Sequence, residues 1–218
     1  MSLLGTNPLI VSTVGGNTEA ADLGRVYVAM TPTPGTGIIG FATSTTLAIG
    51  SINPDFYLYN PGPLTIYPLY ARQHITVVST ASVVTQYTQF LDVGNRITSA
   101  AITATALTIN NTNMASPNRS NAVAYVGANT LAANTSQWRL VAQSNYRGTI
   151  DVVHDTYGFM WGTPDLGASV SIAATVMEIN RVYAPIAILP GMCFGITHWA
   201  GSQSAAPTAE WEFCYLEM

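Results

Sequence analysis

The chain has 218 residues, of which seven are basic and eleven acidic, and its formal net charge is −4. All seven basic residues are arginine, which excludes Schiff-base chemistry and phosphate binding by a lysine. The negative net charge argues against nucleic-acid binding, which needs clustered cations. Charged residues make up only 8% of the chain, against about 25% in an ordinary soluble protein. Such sparse charge favours extensive contact with other protein chains.

The apolar segments are too short to cross a membrane as helices. The richest apolar run, Val182–Leu189, is interrupted by Pro185, whereas a spanning helix needs about 18 or more apolar residues. The N-terminus lacks a basic region followed by a continuous apolar stretch, so we also expect no signal peptide.

The first predicted element is an N-terminal arm, residues 1–17, in which Leu9, Ile10 and Val11 form an apolar patch. An arm of this composition is expected to order against a neighbouring molecule. Residues 18–218 contain no linker, charge run or internal repeat, and we predict that they form a single domain.

The rest of the chain is dominated by alternating and β-rich segments separated by clusters of Gly, Pro, Asn and Ser. Two alanine-rich stretches, Thr18–Gly24 and Val123–Asn134, are compatible with a helical turn. The predicted strands fall in Gly24–Thr31, Phe56–Asn60, Ile75–Thr80, Ile97–Asn110, Trp138–Ala142, Thr149–Val153, Ser169–Val182, Met192–Trp199 and Ala209–Met218. About eight to ten strands at this spacing predict an all-β fold, either an antiparallel β-sandwich or a barrel.

The C-terminal segment is expected to form a hairpin whose two strands flank the loop around Gln203 and Ser204. Antiparallel pairing about that loop sets Cys193 opposite Cys214, the two cysteines of the chain. Two alternatives stay open at this stage, a cross-strand disulfide and a pair of free thiols, and the second is more usual without an export signal.

Two groups of residues are candidates for an interface between chains. In the last strand Trp211, Phe213 and Tyr215 alternate with polar residues and form an aromatic face that packs either on the core or on a partner. Arginine forks suit interfaces in a chain with little charge, and the candidates are Arg139, Arg147 and Arg181.

No motif of an enzyme or of a phosphate-binding loop is present, so we expect no catalytic activity and no cofactor. Asp151, His154 and Asp155 form the sharpest cluster of possible metal ligands, but along a strand their side chains would not converge. Glu210 and Glu212 share one strand face at a spacing suited to a glycosidase pair, although an exposed pair is the simpler interpretation.

Aromatic residues offer two possible contacts for a sugar ring. His198 and Trp199 lie together near a strand end, where a structural role is the more common one. The segment Thr156–Leu166 (TYGFMWGTPDL) is expected to be a loop, in which Tyr157, Trp161 and Asp165 are candidate glycan contacts.

Four segments together resemble virion proteins of tailed bacteriophages, and the chain is also similar to the jelly-roll cement or decoration proteins of phage heads. The segments are TPTPGTGI (Thr31–Ile38), INPDFYLYN (Ile52–Asn60), LDVGNR (Leu91–Arg96) and the C-terminal Leu189–Met218. The resemblance implies a jelly-roll sandwich, a homotrimer and a position on a capsid surface bound to the major capsid protein. It carries no functional residue.

The sequence therefore favours a structural virion protein that stabilises a phage head. The alternatives are a receptor- or carbohydrate-binding module of a tail or spike, a jelly-roll coat protein, and, least favoured, a polysaccharide-cleaving enzyme. We expect the protein to be assembled in the cytoplasm of a bacterial host and to bind neither nucleic acid nor a membrane.

Overall fold

A computed structural model describes residues 19–40, 54–78, 85–93, 104–127, 139–147, 152–162, 178–200 and 205–218. The predicted arm, with Leu9, Ile10 and Val11, lies outside these residues, and the single-domain organisation stays a prediction. One helical turn at residues 19–22 precedes thirteen strands within the described part of the chain.

The first sheet has seven strands and runs β11-β10-β4-β13-β1-β7, with β2 also paired to β13. All of its ladders are antiparallel except the parallel pair β10 and β11. Its strands are β1 (Val26–Met30), β2 (Ile38–Ile39), β4 (Ile66–Val77), β7 (Thr108–Asn111), β10 (Thr156–Trp161), β11 (Glu178–Tyr183) and β13 (Thr208–Glu217).

The second sheet has six strands, runs β6-β8-β3-β12-β5-β9 and is antiparallel throughout. Its strands are β3 (Phe56–Tyr59), β5 (Thr85–Val93), β6 (Thr105–Ala106), β8 (Val123–Val126), β9 (Arg139–Arg147) and β12 (Met192–Ala200). The two sheets pack face to face, so the prediction of an all-β sandwich is confirmed.

The last two strands do not form a hairpin, and this part of the prediction is wrong. β12 lies between β3 and β5 in the second sheet, whereas β13 lies between β4 and β1 in the first. The chain therefore changes sheet between β12 and β13 instead of pairing these two strands with each other. Cys193 and Cys214 are consequently not bonded to each other; both are buried, and neither is part of a disulfide.

The core lies between the sheets and is rich in aromatic rings. Phe56 of β3 meets Phe213 of β13 with ring centroids 4.7 Å apart, and Trp161 of β10 meets Phe194 of β12 edge-on at 5.7 Å. Because each contact joins one sheet to the other, the aromatic layer fixes how the sheets pack.

The two outer faces carry smaller clusters. On the first sheet Val26, Cys214 and Leu216 pack with Ala20 of the helical turn, which covers one end of that face. On the second sheet Tyr57, Phe90 and Cys193 form a separate cluster. The two cysteines thus lie on opposite outer faces of the sandwich.

Local predictions had mixed outcomes. The helical turn expected within Thr18–Gly24 is confirmed at residues 19–22, but the second alanine-rich stretch begins with strand β8 instead. The end of the predicted strand Thr149–Val153 lies in a turn at residues 152–155, closed by a hydrogen bond from the Asp155 amide to the Val152 carbonyl.

Candidate functional site

The register between β4 and β13 brings charged side chains together on the outer face of the first sheet. Glu210 lies opposite His74, and Glu212 lies opposite Arg72. Residues that face each other across two antiparallel strands present their side chains on the same side of the sheet. We call these four residues the polar face.

Glu212 is held by two neighbouring side chains. One of its carboxylate oxygens accepts a hydrogen bond from Arg72 Nη2 at 2.6 Å, and the other accepts one from the Tyr70 hydroxyl. Burial, and next the hydrogen bond to Glu212, raise the pKa of Tyr70, so this hydroxyl stays protonated and donates. Both oxygens of Glu212 are therefore engaged.

Glu210 is held by a turn and by a histidine. The backbone amide of Gly35 donates to Glu210 Oε1 at 2.5 Å, and His74 Nδ1 lies 3.2 Å from Oε2. His74 in turn uses its second ring nitrogen: Nε2 lies 3.3 Å from Nδ1 of His154, which belongs to the turn at residues 152–155. A continuous chain of polar contacts thus joins the turn at Gly35 to the turn at residues 152–155, through His74 near the end of β4.

A cleft of about 370 Å³ opens above the polar face. All four residues of the polar face line it, and Met30, Pro34 and Trp211 are among its further walls. With two carboxylates and one arginine, the polar face has a net charge of −1 when His74 is neutral. The cleft therefore favours a cationic ligand over an anionic one.

The two described members of the predicted cluster Asp151, His154 and Asp155 do not converge. Asp155 is buried and accepts a hydrogen bond from the Val152 amide at 2.6 Å, whereas His154 is exposed and reaches His74. Asp151 lies outside the described residues. The described part of the chain holds no group of three or more His, Cys, Asp or Glu side chains arranged to bind a metal ion.

The predicted aromatic interface is a core element. The side chains of Trp211, Phe213 and Tyr215 are at most 3% exposed and pack between the sheets. The alternation along β13 does separate an apolar from a polar face, but the aromatic face meets the opposite sheet rather than a partner.

The candidate glycan contacts are also corrected. Tyr157 and Trp161 lie on β10, a strand rather than a loop, and are at most 2% exposed. Asp165 lies outside the described residues. His198 is buried too, with its ring centroid 5.0 Å from that of Tyr87, so it offers no surface for a sugar ring.

The three candidate arginines lie at different places. Arg139 begins β9 and is exposed, and Arg181 lies half-buried on β11 opposite Phe159. Arg147 is the last residue of β9, and its side chain is not among those that the structure describes. Sequence reasoning singles out neither Arg72 nor His74, the arginine and histidine that meet the two glutamates.

Comparison with known proteins finds no matching family model, no similar curated protein and no similar solved structure. Within the described residues, no helix is long and apolar enough to span a membrane.

Proposed function

We propose that the protein is a structural component of a tailed-bacteriophage particle. In this role it is a cement or decoration protein that binds the outer surface of the capsid and stabilises the head. Its partners are other copies of the chain, with a homotrimer as the expected state, and the major capsid protein. The proposal includes no catalytic activity and no cofactor.

The strand order supports a jelly roll as the finer description of the sandwich. Eight strands can be taken along the chain as β1, β3, β4, β5, β9, β10, β12 and β13, and successive strands change sheet except for β5 and β9, which are neighbours in the second sheet. In one sheet they lie in the order first, eighth, third, sixth, and in the other second, seventh, fourth, fifth. Two four-stranded layers of this kind are typical of jelly rolls, a fold of capsid and lectin domains.

The observation that carries the proposal is the exposure of apolar side chains at both ends of the sandwich. At one end Ile39 and Val77 flank Thr208 of β13 from opposite sides, and their exposed fractions are 60% and 55%. Val153, which is also exposed, lies at the same end of the sheet, because the amide of the next residue, His154, donates to the Ile75 carbonyl of β4.

The opposite end repeats the pattern. Thr65 and Met218 exchange backbone hydrogen bonds, as do Ile66 and Ile188, and these ladders bring three exposed side chains to the same end. They are Leu64, Leu189 and Met218, with exposed fractions of 41%, 50% and 40%. Exposed apolar groups in a chain with few charges favour burial against other subunits.

Strand β9 supplies a further surface for contact between chains. Among the described residues it is an edge strand that pairs only with β5, and edge strands are common sites of pairing between chains. Arg139, Leu140 and Val141 are consecutive on this strand and exposed. A neighbouring copy that covers the edge satisfies the backbone and buries both aliphatic side chains.

The oligomeric state tests the first half of the proposal. Mass photometry of the purified chain is expected to show a trimer, and Leu140→Glu with Val141→Glu is expected to shift it towards the monomer. Gln143→Glu is the matched control, because it adds a charge to an exposed position of the same strand. If the chain is a monomer and does not bind capsids, the proposal is wrong.

Purified particles test the second half. Under mild dissociation a cement protein leaves while the shell persists, and the released protein rebinds stripped shells. If the shell falls apart together with this chain, the protein is instead a coat protein.

A further inference from the structure

Two histidines from different parts of the chain meet through their ring nitrogens. His154 Nδ1 lies 3.3 Å from His74 Nε2, while the ring centroids are 5.4 Å apart and the ring planes differ by 16°. Since the nitrogens are much closer than the centroids, the rings meet at their edges and not face to face. His154 is exposed and the His74 side chain is 33% exposed, so solutes can reach both.

The separation of the two nitrogens suits a shared metal ion. Two imidazole nitrogens bound to one zinc ion at about 2.0–2.1 Å, with a tetrahedral angle between them, lie about 3.3–3.4 Å apart. Imidazole is a ligand suited to zinc, copper and nickel. The rings therefore need almost no movement to bind one ion together.

Glu210 orients the ring that β4 contributes. Its Oε2 lies 3.2 Å from His74 Nδ1, and its Oε1 is held by the Gly35 amide. A carboxylate in this position keeps the proton of neutral His74 on Nδ1 and leaves a lone pair on Nε2, the nitrogen that faces His154. Carboxylates commonly support metal-binding histidines in this way.

The backbone of His154 supplies an independent indication. Its φ is 76°, and it is the single non-glycine residue with a positive φ among the described residues. A positive φ is uncommon for residues other than glycine, although histidine adopts it more often than most, and the turn holds it here, because the His154 amide donates to the Ile75 carbonyl at 2.8 Å. Strained residues that the surrounding structure holds in place cluster at functional sites.

We propose that His74 and His154 form a binding site for a late first-row divalent cation such as Zn²⁺ or Ni²⁺, with Glu210 as its positioning residue. The chain contributes two ligands from the described residues, and water or a group from a neighbouring molecule completes the coordination. The surrounding charge favours a cation, since Arg72 is paired with Glu212 and Glu210 is left to balance the ion. The site does not depend on the proposed role in a virion.

Isothermal titration of the untagged chain with zinc chloride, and separately with nickel chloride, tests the site. We expect saturable binding that His74→Gln and His154→Asn each weaken at least about tenfold. Asparagine is chosen at the second position because it tolerates a positive φ. His198 is buried in the core and does not compete for the ion.

Two further variants separate the role of Glu210 from a general effect of charge. Glu210→Ala is expected to weaken binding by about tenfold or more, whereas Glu212→Gln, on the same face but paired with Arg72, is expected to leave the affinity unchanged. Circular dichroism confirms that each variant is folded. If no saturable binding occurs up to about 1 mM, or if His154→Asn binds as tightly as the unaltered chain, the histidines form only a hydrogen bond and the proposal is wrong.

Discussion

The hydroxyl of Ser120 donates a hydrogen bond of 2.5 Å to the carboxylate of Glu217, joining the segment before β8 to the last residue of β13. The same hydroxyl lies 2.7 Å from that of Tyr215. Glu217 is only 5% exposed. Burial raises the pKa of this carboxyl group, and the hydrogen bond from Ser120 opposes that effect only in part.

The raised pKa of Glu217 predicts a pH-dependent gain in stability on substitution. The folded protein holds the proton more tightly than the unfolded chain, so the stability contributed by this group falls as the pH rises through its folded-state pKa. Glu217→Gln removes this loss and still accepts the hydrogen bond from Ser120. We expect the variant to be more stable near neutral pH, within the gain of about 0.5–2 kcal/mol common for single stabilising substitutions.

Urea unfolding at about pH 4 and about pH 7.5 checks this prediction, because the advantage of the variant should shrink at the lower pH. Glu178→Gln, at an exposed position of β11, is the matched control. An advantage of Glu217→Gln that is equal at both pH values contradicts the argument.

Phe213→Ala is expected to lower the free energy of unfolding by about 3–5 kcal/mol. The ring is fully buried and contacts Phe56 from the opposite sheet, and Trp161 lies beside it at 5.9 Å between centroids. Met114→Ala is the control, since Met114 is 99% exposed and its loss should change stability by no more than about 0.5 kcal/mol. Chemical denaturation measures both; a loss below about 1 kcal/mol at Phe213 is incompatible with its place in the aromatic layer.

Gly195→Ala is expected to destabilise the second sheet by about 1–3 kcal/mol. Gly195 of β12 lies opposite Phe90 of β5, and an added Cβ would overlap the Phe90 ring. A smaller side chain at that position relieves the overlap, so Gly195→Ala should cost less in a Phe90→Leu background. A double-mutant cycle measures the coupling, and strictly additive losses would show that the ring is not responsible.

Cys193 and Cys214 are expected to remain thiols under ordinary oxidising conditions. They belong to clusters on opposite outer faces of the sandwich, so a bond between them would require unfolding. Burial, and next the charge of Glu212, raise the pKa of Cys214 to about 12, so almost no reactive thiolate forms there at neutral pH. Mass spectrometry after iodoacetamide treatment should detect modification only in denaturant, and an intramolecular disulfide in the native protein would refute this.

The strands that could be predicted are those whose apolar pattern is regular. β1, β3, β12 and β13 were located from local sequence, and their alternation gave the fold class. β5 was missed because its core-facing residues include the polar Gln89, which accepts a hydrogen bond from the Trp161 indole at 2.9 Å. In β4, Pro68 obscured the first half of the strand, and the structure places it at an irregularity in the ladder with β13.

The candidate site depends on pairing that local sequence does not contain. Glu210 and Glu212 were recognised as neighbours on one strand face, but their partners lie on β4, more than a hundred residues earlier in the chain. The predicted C-terminal hairpin also pairs β12 with β13, whereas β13 lies between β4 and β1. The turn that brings His154 to His74 has no sequence signal of its own, because its geometry is set by a backbone contact with β4.

The position of β13 has a consequence for how the chain folds. This strand comes last along the sequence but lies between β1 and β4, and it forms its ladders with both. Until residues 208–217 are in place, the first sheet lacks its middle and the aromatic layer lacks Trp211, Phe213 and Tyr215. Pairing over such long sequence separations is slow to form, typically milliseconds to seconds. We therefore expect the first sheet to form slowly and in one cooperative step. Until β13 completes that sheet, exposed strand edges favour aggregation.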